Sequence, residues 1–359
     1  MRVPFSILSL ALAAGLAEAQ QGERYTLAGG DVAIYNLAGA VTVEPGTGSV
    51  VVQVTRGGAD AGRLGVEQGE IRGRETLRVR YPADRVVYAG LDQGSSTDLR
   101  VRDDGTFGDG DSDDDHQRHG RHDREGRRVR IIGGAGDGLA AHADLRVRIP
   151  PGSEVAIYLA VGTVSVGNIE GRLHVDAHSA AVTAAGTKGE LSVDVGAGAV
   201  DVTGAEGVLL VDTGSGPVQV SRFRGTELSV DTGSGEVTAT EVQANDLSID
   251  TGSGDVRLSG ASAPAVRLET GSGSVTADLR TATRSLSVET GSGDISVTAP
   301  GSLGAEIEIE TASGEIETDF PLQLTRHARD HLIGRIGDGK GKIAIETGSG
   351  DVRLRKRAS

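Results

Sequence analysis

The chain has no cysteine and no tryptophan among its 359 residues, and aromatic side chains make up only 3% of it. Without cysteine there can be no disulfide framework, thiolate metal site, thiol nucleophile or lipidated cysteine anchor. With so few aromatic rings, the stacking platforms that sugar-cleaving sites generally use are scarce: from Ala160 onward only Phe223 and Phe320 remain. Past the first twenty residues no apolar run is long enough to cross a membrane. The net charge of -15 and a pI near 5.0 argue against nucleic acid or anionic lipid as the main partner.

Glycine, by contrast, is abundant, at 55 residues, and much of it recurs in one phrase. Asp212-Thr213-Gly214-Ser215-Gly216 returns with its acidic residue at Asp231, Asp250, Glu269, Glu289 and Glu346, and a variant with Ala312 starts at Glu310. Successive starts lie 19, 19, 19, 20 and 21 residues apart, then 36 across a final insertion. A fixed period near twenty marks a solenoid, in which each repeat is one supersecondary unit stacked on its neighbours. Fainter copies at Asp194 and Asp176, with Tyr158 in the acidic position before them, carry the repeat back to about residue 150.

Within one unit, Leu228 to Ala239, apolar and polar residues alternate on both sides of Gly-Ser-Gly. That is strand periodicity, with Leu228, Val230, Val237 and Ala239 inward and Ser229 and Asp231 outward. The glycines read as a corner, and paired glycines with dense β-branching oppose a helix. The fold expected is an all-β, single-stranded parallel β-helix (a β-solenoid) of about 18–21 residues per coil. The rule for parallel crossovers makes it right-handed. Ten or so coils stacked at about 4.8 Å give a rod on the order of 50 Å long.

The chain divides into four parts. Residues 1–19 read as a secretory signal: Arg2, an apolar run from Val3 to Leu16, then Ala17-Glu18-Ala19. Residues 20–102 read as an N-terminal β segment and cap, with Glu44-Pro45-Gly46-Thr47-Gly48 echoing the corner. Residues 103–138 open acidic and turn basic, and read as a disordered charged loop that contributes no core. Residues 139–359 are the solenoid repeats, closed by a C-terminal cap built from Glu315 to Lys342 and the basic end Arg355-Lys356-Arg357. The expected destination is outside the cytoplasm: periplasm, cell surface or extracellular space, with no membrane span in the mature chain.

Candidate chemistry is sparse. Asp109, Asp111, Asp113 and Asp115 resemble the start of a calcium loop, but Asp114 and Gly120 stand where an EF-hand needs Gly and Glu. The cluster remains a candidate for loose calcium binding, the one cofactor entertained. His116, His119 and His122, and His327 with His331, would gather a metal only on a helix. Gly334 to Gly341 approaches a phosphate-binding loop, yet Gly341 follows Lys340 where Ser or Thr is needed, and a β run comes next. The acidic column Asp212, Asp231, Asp250, Glu269, Glu289, Glu310 and Glu346 is the main binding-face candidate. Stacking would bring its like charges to about 5 Å. It is either a cation ladder or recognition stripe, or a set of carboxylates each accepting hydrogen bonds from its own turn's amides. The adjoining threonines, one per coil at a corner, are a poor match to the flat two-threonine array of an ice-binding face. The repeated carboxylates form no pair with distinct environments, and no Ser-His-Asp set stands out, so no catalytic residue is assigned.

Several stretches together resemble a known family. They are Leu145 to Gly152, a strand ending in Pro-Gly before the first coil; the Thr-Gly-Ser-Gly corners; Asp319-Phe320-Pro321-Leu322; Gly334 to Gly341; and the closing Thr347 to Leu354. The chain resembles the bacterial "putative adhesin" family, a domain of unknown function made of head-to-tail β-strand repeats. The resemblance covers about residue 25 to the end, apart from the charged loop. It implies an exported β-helix at the cell envelope, with a role in adhesion or envelope stress and no catalytic residues to carry over. The expected function is therefore a non-enzymatic binding or structural module contacting envelope polysaccharide or protein. The alternatives are a carbohydrate-active β-helix enzyme and a calcium-dependent envelope scaffold.

Overall fold

Among the described residues, alternation of small apolar and polar residues is realised as strands, joined by one 3-10 turn at Ala61–Arg63 and otherwise by turns and bends. The computed structural model describes residues 22–108 and 126–357. The signal-like stretch 1–19, the aspartates Asp109, Asp111, Asp113 and Asp115, and His116, His119 and His122 lie outside the described residues. A continuous sheet of 26 strands dominates, beside a smaller sheet of four.

One coil explains the rest. The strand Arg224–Ser234 turns a corner and continues as Val237–Thr240. The first pairs in parallel with Glu206–Ser215 below and Asp246–Thr251 above, and the second with Val218–Ser221 and Val256–Ala261. Parallel pairing at matched register puts like on like: Leu228 sits between Leu209 and Leu247, and Val230 between Val211 and Ile249. All six are buried, as are Val237 and Ala239. Each aliphatic side chain so enclosed contributes about 1.5–3 kcal/mol against exposure. The inward assignments made from alternation hold.

The corner is the tightest point. At Gly216 the backbone takes φ 131°, and a Cβ there would stand 2.1 Å from the Gly198 carbonyl oxygen of the coil below. Val218 could not follow Val200 at ladder spacing if any side chain intervened. Two glycines per corner are thus required by coil-to-coil contact as much as by turn geometry.

The stack begins earlier than the repeat does. The strand Asp31–Pro45 pairs in parallel with Ser153–Gly167, setting Val32 on Val155, Ile34 on Ile157 and Val41 on Val164. Gly162 lies against Gly39, so the corner of the opening coil is at Gly39 and not at the Gly46-Thr47-Gly48 echo. Between these two coils the chain makes a long excursion. Arg74–Arg80 pairs in parallel with Asp31–Pro45, and Gly65–Ile71 pairs antiparallel on top of it. His142–Ile149, Val50–Gly57 and Glu23–Leu27 close the other side. These are the cap that an open solenoid end needs.

The disordered-loop assignment over 103–138 is corrected for its described residues, 103–108 and 126–138. Arg127–Gly133 is a strand of the smaller sheet, between Ser96–Val101 and Arg85–Tyr88, with Val129 and Ile131 fully buried. Phe107 is buried too, its ring edge-on to Tyr35 at 5.8 Å. The alternating apolar residues of Val129, Ile131 and Gly133 were masked by arginines at Arg127, Arg128 and Arg130, which occupy the other side of the strand or its start. Charge dominated the composition of the segment while alternation decided its structure.

The C-terminal end is also rearranged. The strand Gly341–Thr347 lies between Ser285–Thr290 and Ala305–Thr311, so the last coil in sequence is the penultimate coil in space. The end of the rod is capped by the antiparallel strands His331–Ile336 and Gln323–His327. The basic residues expected in the cap are instead on or just past the intercalated coil. Arg355 faces Glu317 at 3.6 Å, and Arg357 pairs with Asp278.

Three outcomes follow for stability. Gly216→Ala should cost several kcal/mol, because the new methyl meets backbone and not a movable side chain. Gly167→Ala, with nothing within 4 Å, should change stability by less than about 0.5 kcal/mol. Ile131→Ala should cost about 2–5 kcal/mol by the cavity it leaves. Urea unfolding of the three variants measures all of these, and an unchanged midpoint for Ile131→Ala would restore the loop reading.

Candidate functional site

The outward face of the first strands carries one charge sign in register. Asp176 stands over Asp194, Asp194 over Asp212, Asp212 over Asp231, and Asp231 over Asp250. The column continues through Glu269 and Glu289, then Glu346, and ends at Glu310. The intercalated coil thus places Glu346 before Glu310, the reverse of their order in sequence. Asp194 and Asp176 belong to the column as fully as the six Thr-Gly-Ser-Gly positions do.

Both ends of the column are closed. Toward the N-terminal cap its positions are taken by Tyr158 and Tyr35, whose rings stack at 4.5 Å with planes 5° apart. Phe107 covers this pair, and His174 meets Tyr158 edge-on at 6.1 Å. At the far end Glu310 is opposed by His331 of the antiparallel cap. Nearby, the His331 imidazole faces Glu308 at 3.4 Å. His331 lies on a strand, so the helical spacing with His327 that a metal pair would need is absent.

The carboxylates are not held by their own turns. Burial raises the carboxyl pKa of Asp212, Asp231 and Asp250 above the ordinary value, and neighbouring carboxylates of the column raise it further. Among the described residues no hydrogen bond to an amide or to a basic side chain offsets this at these three residues, although the Arg267 charge opposes it at Asp250. The corner amides are already engaged: Gly252 donates to the Thr232 carbonyl and Gly271 to the Thr251 carbonyl of the coil below. Arg267 is a basic partner on the column, donating to Glu269 and opposing the rise at Asp250. Amide capping occurs instead at a second acidic position, just past the glycines. The Asp255 carboxylate accepts from the Ser274 amide at 2.9 Å, Asp294 from the Asp351 amide at 2.9 Å, and Asp351 from the Glu315 amide at 3.0 Å. Their recurrence after Gly-Ser-Gly was visible in the sequence; that they and not the first column hold the coils together was not.

The threonine column points inward. Thr213, Thr232, Thr251, Thr270, Thr290, Thr311 and Thr347 are all buried. Thr270, Thr290 and Thr347 each donate to a glycine carbonyl of the preceding coil's corner at 3.0 Å. A buried hydroxyl cannot meet ice, which removes the ice-binding comparison.

Chemically the face is uniform. Catalysis by paired carboxylates needs two groups pushed apart in pKa, and here three successive aspartates shift in the same direction for the same cause. Among the described residues no group of three or more His, Asp or Glu side chains converges as a metal-ligand set. A cavity of about 160 Å³, lined by Leu37, Val79, Arg80, Tyr81, Arg102 and Arg127, contains none of the column's carboxylates. The Gly334 to Gly341 segment is strand, then turn, then strand, with no helix to receive a phosphate.

Because the folded-state pKa values of Asp212, Asp231 and Asp250 are raised, protonation favours the fold. The gain is fully present below the unfolded carboxyl pKa and is lost as pH rises through the folded one. Stability should therefore increase on acidification from neutral pH into the carboxyl range, an effect flattened by salt. Asp231→Asn should stabilise by about 0.2–1 kcal/mol at neutral pH, the cost of like charges directly opposed. Thermal unfolding at pH 7 and in the carboxyl range, with both proteins, measures the two effects.

Comparison with known proteins adds little about chemistry. No curated protein matches the chain. One solved structure that aligns with it is described as a "putative cell adhesion protein" from Clostridium sporogenes. It shares 7% identity over 94% of this chain and 100% of the other, with a TM-score of 0.20. The match that decides is to a family model described as Toastrack DUF4097, which spans residues 147–355, from the strand before the second coil to the end of the intercalated one. The chain belongs to the Toastrack DUF4097 family.

Proposed function

We propose that the chain is an exported, non-enzymatic binding or structural module of the cell envelope, and that its acidic face is the surface that contacts polysaccharide or protein. The observation that carries the reading is the unbroken in-register run of carboxylates from Asp176 to Glu310 on one sheet face. A straight row of equivalent groups at strand spacing suits a repetitive polymer or an extended partner better than a single small molecule. Export rests on the signal-like residues 1–19, and the envelope on the family resemblance noted from the sequence.

A second reading has its own support. The raised carboxyl pKa values of Asp212, Asp231 and Asp250, opposed by a basic side chain at Asp250 (Arg267) but not at Asp212 or Asp231, make divalent cations natural bridges between this face and an anionic envelope polymer. Calcium is then the ion to test, as a bridge and not as a buried cofactor.

Co-sedimentation of the purified protein with isolated bacterial envelopes, in calcium and in chelator, separates these readings. Retention in both conditions, reduced at least severalfold by the triple variant Asp212→Asn, Asp231→Asn, Asp250→Asn, is the expected result for direct contact. Retention lost in chelator selects the cation bridge. Retention in neither condition, or retention indifferent to the triple variant, overturns the acidic face as the contact surface.

A further inference from the structure

The long sheet finishes at both ends in a strand that is bonded along one edge only. Among the described residues, Gly65–Ile71 pairs with Arg74–Arg80 alone at the N-terminal end. At the C-terminal end, Gln323–His327 pairs with His331–Ile336 alone. An unpaired strand edge is a row of free amides and carbonyls, a template for another strand. Coil stacking runs the sheet unbroken from one of these edges to the other, so each molecule carries two open ends of the same sheet.

The two edges differ in charge. Gly65–Ile71 contains Glu67 and Glu70, both exposed, and no basic residue; Glu67 already faces Arg78 and Arg80 of the next strand at 3.8 and 3.7 Å, so Glu70 is the charge this edge offers. Gln323–His327 contains Arg326, exposed, and no acidic residue; the turn after it holds Arg329 and Asp330, both exposed, as Arg72 follows the N-terminal edge. The C-terminal edge also carries Leu324, which at 52% exposure is the large apolar side chain left uncovered among the described residues. The directions match as well. Gly65–Ile71 runs antiparallel to the coil strands, whereas Gln323–His327, after two reversals, runs parallel to them. Placed end to end with their axes aligned, the two edges meet antiparallel, the commoner pairing. Joining two N-terminal edges, or two C-terminal ones, would set like charges against each other.

We propose that the open C-terminal edge, Gln323–His327, docks on the open N-terminal edge, Gly65–Ile71, of a second copy of this chain. The contact is heterologous, so it repeats: each added copy presents a new open edge, and the copies form a linear filament in which the sheet continues from rod to rod. Leu324 is covered at each junction, and Arg326 lies against the edge that bears Glu70. An acidic stripe displayed by one rod then becomes a stripe many rods long.

Sedimentation velocity of the purified protein over a range of concentrations at low salt, repeated at high salt, tests the junction. The expected result is a concentration-dependent series of species beyond the dimer, diminished by salt. Glu70→Arg and Arg326→Glu should each weaken association roughly fivefold, the size of a reversed cross-strand pair. Because neither residue is buried, both variants should keep the parent's melting temperature. An equimolar mixture of Glu70→Arg with Arg326→Glu should recover the series beyond the dimer, because each junction between the two variants again sets opposite charges against each other, whereas either variant alone should not. Leu324→Lys should weaken association by the loss of its apolar cover. A monomer at every concentration and salt overturns the proposal. So does association that stops at the dimer and ignores Glu70→Arg, which would mean that C-terminal edges join each other. Envelope retention is read on the acidic face in a separate assay, so failure of that assay leaves this one standing.

Discussion

Everything in this protein depends on how closely one Thr-Gly-Ser-Gly corner sits on the next. The glycine carbonyl of each corner occupies the space where a side chain of the next would be, and the hydroxyls of Thr270, Thr290, Thr311 and Thr347 reach across to that same kind of carbonyl. These contacts hold adjacent backbones at ladder spacing through the bend, where an ordinary turn would let them splay. With the corner closed, both strands of a coil remain in register, and the aliphatic columns stack one on one. The interior is narrow enough that Val, Leu, Ile and Ala fill it, which is why so large a chain needs almost no aromatic core.

Register has an electrostatic consequence. Parallel in-register stacking repeats every outward residue directly above its counterpart, so an acidic residue in the repeat becomes a carboxylate row in the fold. The corner amides are consumed in the coil-to-coil ladder and are not available to soften that row. A neighbouring acidic position, represented by Asp255, Asp294 and Asp351, does find amides and stitches successive coils together. The two acidic columns therefore do opposite things: one reinforces the stack, and the other burdens it. A feature that costs stability at neutral pH and is displayed along the whole face is a reasonable place to look for function.

The ends of the rod obey different rules from its middle. A coil needs a neighbour on both sides, and the terminal ones lack one, so the chain leaves the repeat at both ends to build antiparallel covers. At the N-terminal end the cover is inserted between two coils that are adjacent in space, Asp31–Pro45 and Ser153–Gly167. At the C-terminal end the chain lays down the outer coil first, folds back as a cap, and then threads its last strands beneath. Both arrangements leave the termini of the repeat protected while the open sheet edges fall on short strands.

Strand alternation and a twenty-residue period are local properties, and they were legible: the coil, its inward residues Leu228, Val230, Val237 and Ala239, and the corner glycines all stand where the pattern places them. A period also implies columns, so the alignment of Asp212, Asp231 and Asp250 could be read before any coordinates. What a period cannot encode is which coil lies next to which once the repeat is interrupted. The stacking of Tyr35 on Tyr158, the strand Arg127–Gly133 inside a charged stretch, and the place of Glu346 between Glu289 and Glu310 depend on contacts between residues far apart in sequence. Likewise, alternation placed Asp231 outward, but only the packed corner decided that Thr232 is buried and that the corner amides serve the ladder. Composition and periodicity determined the coil; the competition among coils for neighbours determined the order of the stack, its caps and the chemistry of its face.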